Sequence, residues 1–347
     1  MHILVVTDAW KPQVNGVVRS LESVGRALTE IGNRVDFLTP QDFATVPLPT
    51  YAEIRLALAT PRAVAQQIDA VAPEHIHIAT EGPLGFAARR YCLRKKRMFT
   101  TSYHTRFPEY ISVRTPIPEK LTYAWLRRFH NASNGVMVAT KSIAEDLKSR
   151  RFQRLMCWTR GVDHSVFNPS NAVTLNLPRP IFLFAGRLAP EKNLEAFLSL
   201  DLPGSKVIAG DGPSRRALEA SYPDAHFLGM KDANALAVYY ASADVFVFPS
   251  RTDTFGVVLI EALACGLPVA ALPVPGPLDV IGTSGAGVLD TDLRAACLAA
   301  LEIPRDKARA HGLNFTWAKS ARQFLDNVTL ARSVPEQFPE ANFGIVC

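Results

Sequence analysis

Short apolar runs alternate with amphipathic segments along the chain, and this alternation limits the possible folds more than any other feature. After the first run a helical period is clear, because Val17, Leu21 and Val24 would share one face. Strands joined by helices form parallel sheets that are covered on both faces. The pattern therefore predicts an α/β fold. In the first half, the strand-like runs span residues 2–7, 33–40, 75–80, 100–105 and 134–140.

The alternation lapses at residues 168–180, which are rich in turn formers, and then restarts. Such a lapse is typical of a linker between domains. We expect a Rossmann-like N-terminal domain over 1–168, a Rossmann-like C-terminal domain over 169–330 and a tail over 331–347. The carboxyl ends of two such sheets would face one cleft, which is the expected active site. The strand-like runs of the second half span 181–185, 206–213, 226–229, 245–250 and 268–272.

The composition gives no sign of export. Met1 leads directly into a strand-like run without the cationic segment of a signal peptide, and no apolar run reaches the roughly 18 residues of a membrane span. The five cysteines include no C-x-x-C pair, which argues against a zinc site and favours reduced core cysteines. We expect a cytoplasmic protein that at most touches the inner face of a membrane.

The net charge of +6 and the pI of about 9.1 favour an anionic partner. Two stretches concentrate this charge, the basic run at 89–97 and the basic, aromatic run at 121–130. Each could be a solvated helix face beside core aromatics. No nucleic-acid-binding module frames them, so nucleic acid is not expected and an anionic membrane surface is the sharper alternative.

A stretch from Ser250 to Glu261 carries two carboxylates across the start of an apparent helix. Asp253 and Glu261 are eight residues apart, which is about 12 Å along a helix. That separation suits a long ligand with polar groups at both ends. The strand-like run before the helix would place its N-terminus, where anions bind, at the carboxyl end of a parallel sheet.

Two further signals follow strand ends in the same half. Arg187 and Lys192, five residues apart, could clamp a diphosphate. When the two residues are considered alone, a chance surface pair is the simpler interpretation. Gly210 begins a G-D-G-P turn that is structural in most proteins and in some lets a nucleotide approach the backbone. Because all three signals fall at carboxyl ends of strands in one sheet, we favour a site for a nucleotide diphosphate or a nucleotide sugar.

Four motifs together resemble glycosyltransferase family 4, whose members are retaining enzymes with the GT-B fold. They are G-R-L-A-P-E-K-N, G-D-G-P, D-T-F-G-V-V-L-I-E-A-L-A-C-G-L-P-V and K-P-Q-V-N-G-V, and the resemblance covers nearly the whole chain. The family has glutamate at both ends of its Glu-x7-Glu motif, whereas Asp253 holds the first place here. In this departure the chain resembles the branch of the family that makes sulfoquinovosyl, glucuronosyl and other diacylglycerol glycolipids and some mannosyl lipids.

The resemblance implies a role for each matching residue. Arg187 and Lys192 would neutralise the departing nucleoside diphosphate, Glu261 would hold the ribose hydroxyls, and Asp253 would bind hydroxyls of the transferred sugar. His104 matches the histidine that contacts the donor sugar, although a lone histidine is more often a core residue. The groups implied to bind phosphate are Asn15, Gly16 and the backbone N–H groups of Phe255, Gly256 and Val257.

The expected reaction is a metal-independent, retaining transfer of a hexose or hexuronic acid from a UDP- or GDP-linked donor to an acceptor hydroxyl, on a membrane lipid such as diacylglycerol. Fixed cations and helix N–H groups beside the diphosphate would stabilise the leaving group without a metal, so no cofactor or metal is expected. A soluble or polysaccharide acceptor and a nucleotide-sugar epimerase stay open. A non-catalytic sugar-nucleotide sensor is disfavoured because Arg187, Lys192, Asp253 and Glu261 are all present. A nicotinamide dehydrogenase is disfavoured because the first turn lacks G-x-G-x-x-G.

Overall fold

The computed structural model describes residues 1–12, 16–48, 51–104, 106, 108, 118–333 and 345–346. The chain divides into two compact units, which we call the first and the second unit. The first comprises Met1–Arg160 and Trp317–Cys347, and the second comprises Gly161–Thr316.

The secondary structure alternates as the sequence predicts. The strands β1 to β15 are, in order, His2–Val6, Arg34–Leu38, Thr45–Leu48, Tyr51–Ala57, His75–Ile78, Phe99–Tyr103, Gly135–Val138, Leu155–Cys157, Ile181–Ala185, Ser205–Ala209, His226–Gly229, Val245–Phe248, Val269–Ala271, Gly287–Leu289 and Ile345–Val346. The helices α1 to α13 are Gly16–Glu30, Pro61–Val71, Pro83–Arg94, Glu119–His130, Lys141–Ser149, Leu194–Leu198, Arg215–Ser221, Ala233–Ser242, Val257–Ala264, Pro275–Val280, Leu293–Ala300, Arg305–Gly312 and Trp317–Ser333.

Each unit is built on one parallel sheet. The first unit has seven strands in the order β15-β8-β7-β6-β5-β1-β2, and the second has six in the order β11-β10-β9-β12-β13-β14. All neighbouring strands within these two sheets are parallel, and β3 and β4 form a separate antiparallel pair. The prediction of an α/β fold with two Rossmann-like sheets is confirmed.

The strand order indicates where each unit would bind a ligand. In the second sheet the direction of winding reverses between β9 and β12, and in the first it reverses between β1 and β5. Ligands of such sheets bind outside the carboxyl ends of the strands, at this point of reversal. The loops that follow β9 and β12 are therefore the first place to look for a site in the second unit.

Helix α13 belongs to the first unit, not to the C-terminal domain that was expected to run to residue 330. It packs beside α1, where Phe324 and Val328 join a core with Ile3 and Leu28. The indole Nε1 of Trp158 also donates to Ser320 Oγ on α13 at 3.1 Å. The chain passes into the second unit at residue 161 rather than 169, and it returns at 317.

Three cysteines, Cys92, Cys265 and Cys297, are buried free thiols as expected, and burial raises the pKa of each to about 12. Cys157 is disulfide-bonded, so the expectation that all cysteines are reduced is wrong at this position. Among the residues with described structure, no helix is both long and apolar enough to cross a bilayer.

Candidate functional site

The loops that follow β9 and β12 are joined by an ion pair. Lys192 Nζ lies 2.6 Å from Asp253 Oδ1 and 2.8 Å from Oδ2, and the two side chains are 20% and 18% exposed. Lys192 ends a short 3-10 turn after β9, and Asp253 lies in the loop before α9. The structure thus brings together two of the predicted residues, 61 positions apart, at the point where the sheet reverses.

Two further hydrogen bonds hold these loops against each other. Asn193 adopts the left-handed conformation with φ of 54°, and its Nδ2 donates to the carbonyl of Pro249 at 3.0 Å. The hydroxyl of Ser250 donates to the carbonyl of Glu191 at 3.4 Å. Because these contacts involve backbone carbonyls, they fix the loop conformation rather than one side chain.

The loop after β10 completes this edge of the sheet. Gly210 has φ of +145°, and a Cβ atom placed there would lie 1.9 Å from the carbonyl oxygen of Gly186. The N–H of Gly186 donates to Ala209, and that of Leu188 donates to Asp211. The predicted glycine turn is therefore needed for close backbone packing next to Arg187, which follows Gly186 and is partly buried.

The N-terminus of α9 opens into the same region. Gly256, with φ of +80°, occupies the N-cap position and Val257 begins the helix. The first N–H groups of a helix lack intrahelical partners and favour anions. The side chain of Phe255 is buried, with its ring 6.2 Å from that of Phe315, so only its backbone can contribute to a site.

The two carboxylates of the predicted ligand site have different environments. Only Glu261 lies on α9, because the helix begins four residues after Asp253, so the separation of about 12 Å along one helix does not apply. Glu261 is 3% exposed, and the hydroxyl of Tyr240 on α8 donates to its Oε2 at 3.3 Å.

The predicted residues of the first unit lie after β1 and β6. Gly16 begins α1, while Asn15 lies outside the described residues. His104 follows β6 directly and is partly buried. Its Nδ1 lies 3.1 Å from a terminal guanidinium nitrogen of Arg160. Burial, with the nearby charge of Arg160, holds the pKa of His104 well below its usual range.

Three buried polar residues of the first unit were not predicted from the sequence. Asp8, two residues after β1, accepts from the N–H groups of Leu84 and Gly85 at 2.9 and 3.2 Å and so caps α3, while burial raises its pKa. Glu81 lies 2.9 Å from His130, and the third residue is Arg160. The sequence signal that could have indicated them is a charged residue shortly after the end of a strand.

Two families match the chain. Residues 14–166 match the family described as Glycosyltransferase Family 4, and residues 179–303 match the one described as Glycosyl transferases group 1. The second match lies within the second unit and contains Arg187, Lys192, Gly210, Asp253 and Glu261.

Three curated relatives span most of the chain. A GDP-mannose-dependent alpha-mannosyltransferase of Mycobacterium tuberculosis is 31% identical over 83% of this chain and 83% of its own. The sulfoquinovosyl transferase SQD2 of Arabidopsis thaliana is 30% identical over 77% of this chain and 58% of its own. An alpha-monoglucosyldiacylglycerol synthase of Streptococcus pneumoniae is 25% identical over 87% of this chain and 78% of its own.

The fold is also that of a solved enzyme. The sucrose-phosphate synthase of Thermosynechococcus elongatus has a TM-score of 0.76 to this chain, covers 95% of it with 99% of its own length, and is 21% identical. At this identity the likeness concerns the fold.

Replacing Gly210 with alanine should destabilise the second unit more than a matched replacement does. Gly282→Ala is the control, because Gly282 has φ of +48° and the nearest atom to its added Cβ is 3.2 Å away. We expect Gly282→Ala to cost about 1 kcal/mol, mostly from backbone strain, and Gly210→Ala to cost at least about 2–3 kcal/mol. Thermal and denaturant unfolding measure both, and equal costs would contradict the close packing.

Proposed function

The chain belongs to glycosyltransferase family 4 and has the GT-B fold, and on that premise we propose that it is a retaining transferase with a lipid acceptor. It would move a hexose or a hexuronic acid from a UDP- or GDP-linked donor to a hydroxyl group of a membrane lipid such as diacylglycerol. The observation that carries this proposal is the grouping of Lys192, Asp253 and the N-terminus of α9 at the reversal point of the second sheet.

Each group in this region suits one part of a nucleotide sugar. Lys192 and Arg187 would neutralise the diphosphate, Lys192 as a point charge and Arg187 through its planar fork. The N–H groups of Gly256 and Val257 would bind a phosphate oxygen. Asp253 would accept hydrogen bonds from sugar hydroxyls, and Glu261 from the ribose. The assignment of Gly16 and Asn15 to phosphate binding rests on the family resemblance alone.

These groups act in the step that separates sugar and diphosphate. The glycosidic C–O bond breaks with its electron pair on the diphosphate, and positive charge develops on the sugar carbon. Fixed cations and helix N–H groups stabilise the departing anion, which is why we propose that no metal ion is needed. The acceptor oxygen attacks from the face that the diphosphate leaves, and a diphosphate oxygen takes the proton of the acceptor, so configuration is retained.

The names of relatives support this choice of donors and acceptors. One relative uses GDP-mannose, and another makes monoglucosyldiacylglycerol. A lipid acceptor also agrees with a surface of the first unit.

This surface consists of exposed residues on helices α3 and α4, and we call it the α3/α4 surface. On α4, Leu121 is 63% and Trp125 49% exposed, and on α3 Leu93 is also exposed. The rings of Phe86 and Trp125 are 5.1 Å apart, which joins the apolar parts of the two helices. An open groove of about 600 Å³ runs along α3 and includes Phe86 and Leu93.

Cations surround these apolar side chains. Arg90 and Arg94 line the groove and are exposed, as is Arg128 on α4. Arg89 has a structural role instead, because it donates to the carbonyls of Phe129 and Arg128 at 3.1 and 2.9 Å. Exposed apolar side chains with cations around them are typical of a surface that binds anionic lipid.

A donor screen tests the reaction class. We expect one series of UDP- or GDP-sugars to raise Tm, since a ligand at 100 times its Kd stabilises by about 2.7 kcal/mol. The stabilising donor should then support transfer to diacylglycerol in the presence of EDTA. Loss of transfer in EDTA with recovery in Mg²⁺ or Mn²⁺ would refute metal independence. Interconversion of the donor sugar without an acceptor would instead identify an epimerase.

Asp253→Glu should lower turnover with the native donor. The longer side chain moves the carboxylate by about 1.5 Å, and a misplacement of about 1 Å can cost about 100-fold in rate. Steady-state kinetics measure the change in kcat and KM. Asp224→Glu, at an exposed position of the same unit, is the matched control and should leave both unchanged. If Asp253→Glu matched the control, Asp253 would not contact the sugar.

Vesicle sedimentation tests the α3/α4 surface. The protein should bind vesicles that contain phosphatidylglycerol and not vesicles of phosphatidylcholine alone. Arg90→Gln/Arg94→Gln should weaken binding about 30-fold, because each cation near the surface contributes about 1 kcal/mol. The double variant Arg216→Gln/Arg322→Gln removes the same charge from exposed positions on α7 and α13 and should bind as the wild type does. Equal binding by both variants would contradict the assignment.

A further inference from the structure

Arg160 is a buried cation in the first unit with an unusual set of partners. Arg160 is 4% exposed. One terminal nitrogen of its guanidinium donates to the carbonyl oxygens of Trp158 and Thr159 at 2.6 and 3.3 Å. The guanidinium carbon lies 4.2 Å from the centre of the Trp158 ring. Buried arginines are usually paired with carboxylates, yet in the described part of the chain no acidic side chain forms an ion pair with Arg160.

The other terminal nitrogen of Arg160 contacts His104. It lies 3.1 Å from Nδ1 of the imidazole. A guanidinium has only N–H donors and no acceptor, so Nδ1 must present its lone pair. A neutral imidazole with its lone pair on Nδ1 carries its single proton on Nε2. The contact therefore determines which nitrogen of His104 is protonated.

The surroundings of His104 also keep its ring neutral. Within the described residues, the charges that lower its pKa are those of Arg160, His77 and His130. Glu81 is 2.9 Å from His130 and is thus occupied with a different ring. Burial lowers the pKa of His104 well below its usual range, and it lowers the pKa of Arg160 to about 9, which leaves the guanidinium charged at neutral pH.

We propose that Arg160 is a positioning residue that holds His104 as a neutral hydrogen-bond donor with its proton on Nε2, so that His104 does not act as a general base. A base needs a lone pair directed at the proton it removes. The neutral imidazole has one in-plane nitrogen lone pair, on Nδ1, and it is directed at Arg160. The proton of the acceptor must therefore go elsewhere, as it does when a diphosphate oxygen accepts it.

The partner of His104 is itself held by a distant part of the chain. Trp158, over which the guanidinium lies, donates from Nε1 to Ser320 Oγ at 3.1 Å, and its ring is 5.1 Å from that of Phe324. The hydroxyl of Ser320 donates to the carbonyl of Thr159 at 2.8 Å. Helix α13 thus fixes the segment 158–160 that orients His104.

The first test needs no substrate and so does not depend on the proposed function. Two-dimensional NMR of ¹⁵N-histidine-labelled protein distinguishes the two neutral tautomers and the imidazolium, and His104→Gln assigns the signals by their loss. We expect the His104 signals to show the Nε2–H tautomer and to stay unchanged from pH 5.5 to 8.5. A proton on Nδ1, or titration within this range, would overturn the proposal.

The second test is kinetic, and its interpretation rests on the proposed transferase activity. Arg160→Met should lower kcat/KM for the donor by about 10- to 100-fold, as loss of orienting hydrogen bonds does at metal-bound histidines, and should give mixed His104 tautomers. Arg160→Lys, which can still donate one hydrogen bond, should recover part of the rate. The matched control is Arg154→Met, because Arg154 also donates to backbone carbonyls of the same unit, those of Ser133 and Asn131.

The outcomes separate the two proposals. If the tautomer is Nε2–H but no donor supports transfer, the proposed function fails and the role of Arg160 in orienting His104 stands. If Arg160→Met and Arg154→Met lose the same rate and the same Tm, Arg160 is only structural. If Arg160→Met does not fold, the tautomer and the pH response of the wild type still decide the question.

Discussion

The ion pair between Lys192 and Asp253 is the contact on which the site in the second unit depends. It joins the loops that follow β9 and β12, the two strands between which the sheet reverses. Both side chains are only about one fifth exposed, so removal of either would leave a poorly solvated charge without its partner. A diphosphate that binds Lys192 must compete with Asp253, and a sugar that binds Asp253 must compete with Lys192. In the proposed donor, one molecule carries both the diphosphate for Lys192 and the sugar hydroxyls for Asp253, so it can replace both partners of the ion pair at once.

The backbone around this pair is as constrained as the side chains. The loops after β9 and β10 are in such close contact that Gly210 cannot carry a Cβ atom, and Asn193 adopts a left-handed conformation to reach Pro249. These contacts hold Arg187 and Lys192 on short, rigid connections. Preorganised cations need little rearrangement when charge develops on a leaving group. In the first unit a side chain is preorganised instead of a backbone loop, because Arg160 holds the imidazole of His104 through one hydrogen bond.

Much of this architecture could be predicted from the sequence, because apolar periodicity is a local property. Strands 181–185 and 226–229 lie at the predicted residues. The β3–β4 pair was missed because Pro47 interrupts its first strand. The three-residue strands β8 and β14 were also missed, whereas the equally short β13 lies within the predicted run 268–272. The assignment of α13 to the first unit could not be predicted, since Trp158 and Ser320 are 162 positions apart. Asp253 and His104 were likewise predicted as site residues from the sequence, but their contacts with Lys192 and Arg160 were not.

The return of the chain to the first unit affects the order in which the protein is assembled. The second unit is one continuous segment, Gly161–Thr316, whereas the first needs α13 from the other side of that segment. During synthesis the second unit can therefore be complete while Ile3, Val5 and Leu28 still lack Phe324 and Val328. On the ribosome, the unit that emerges first thus completes its core last. Until α13 is made, its uncovered apolar face is exposed to aggregation or chaperone capture.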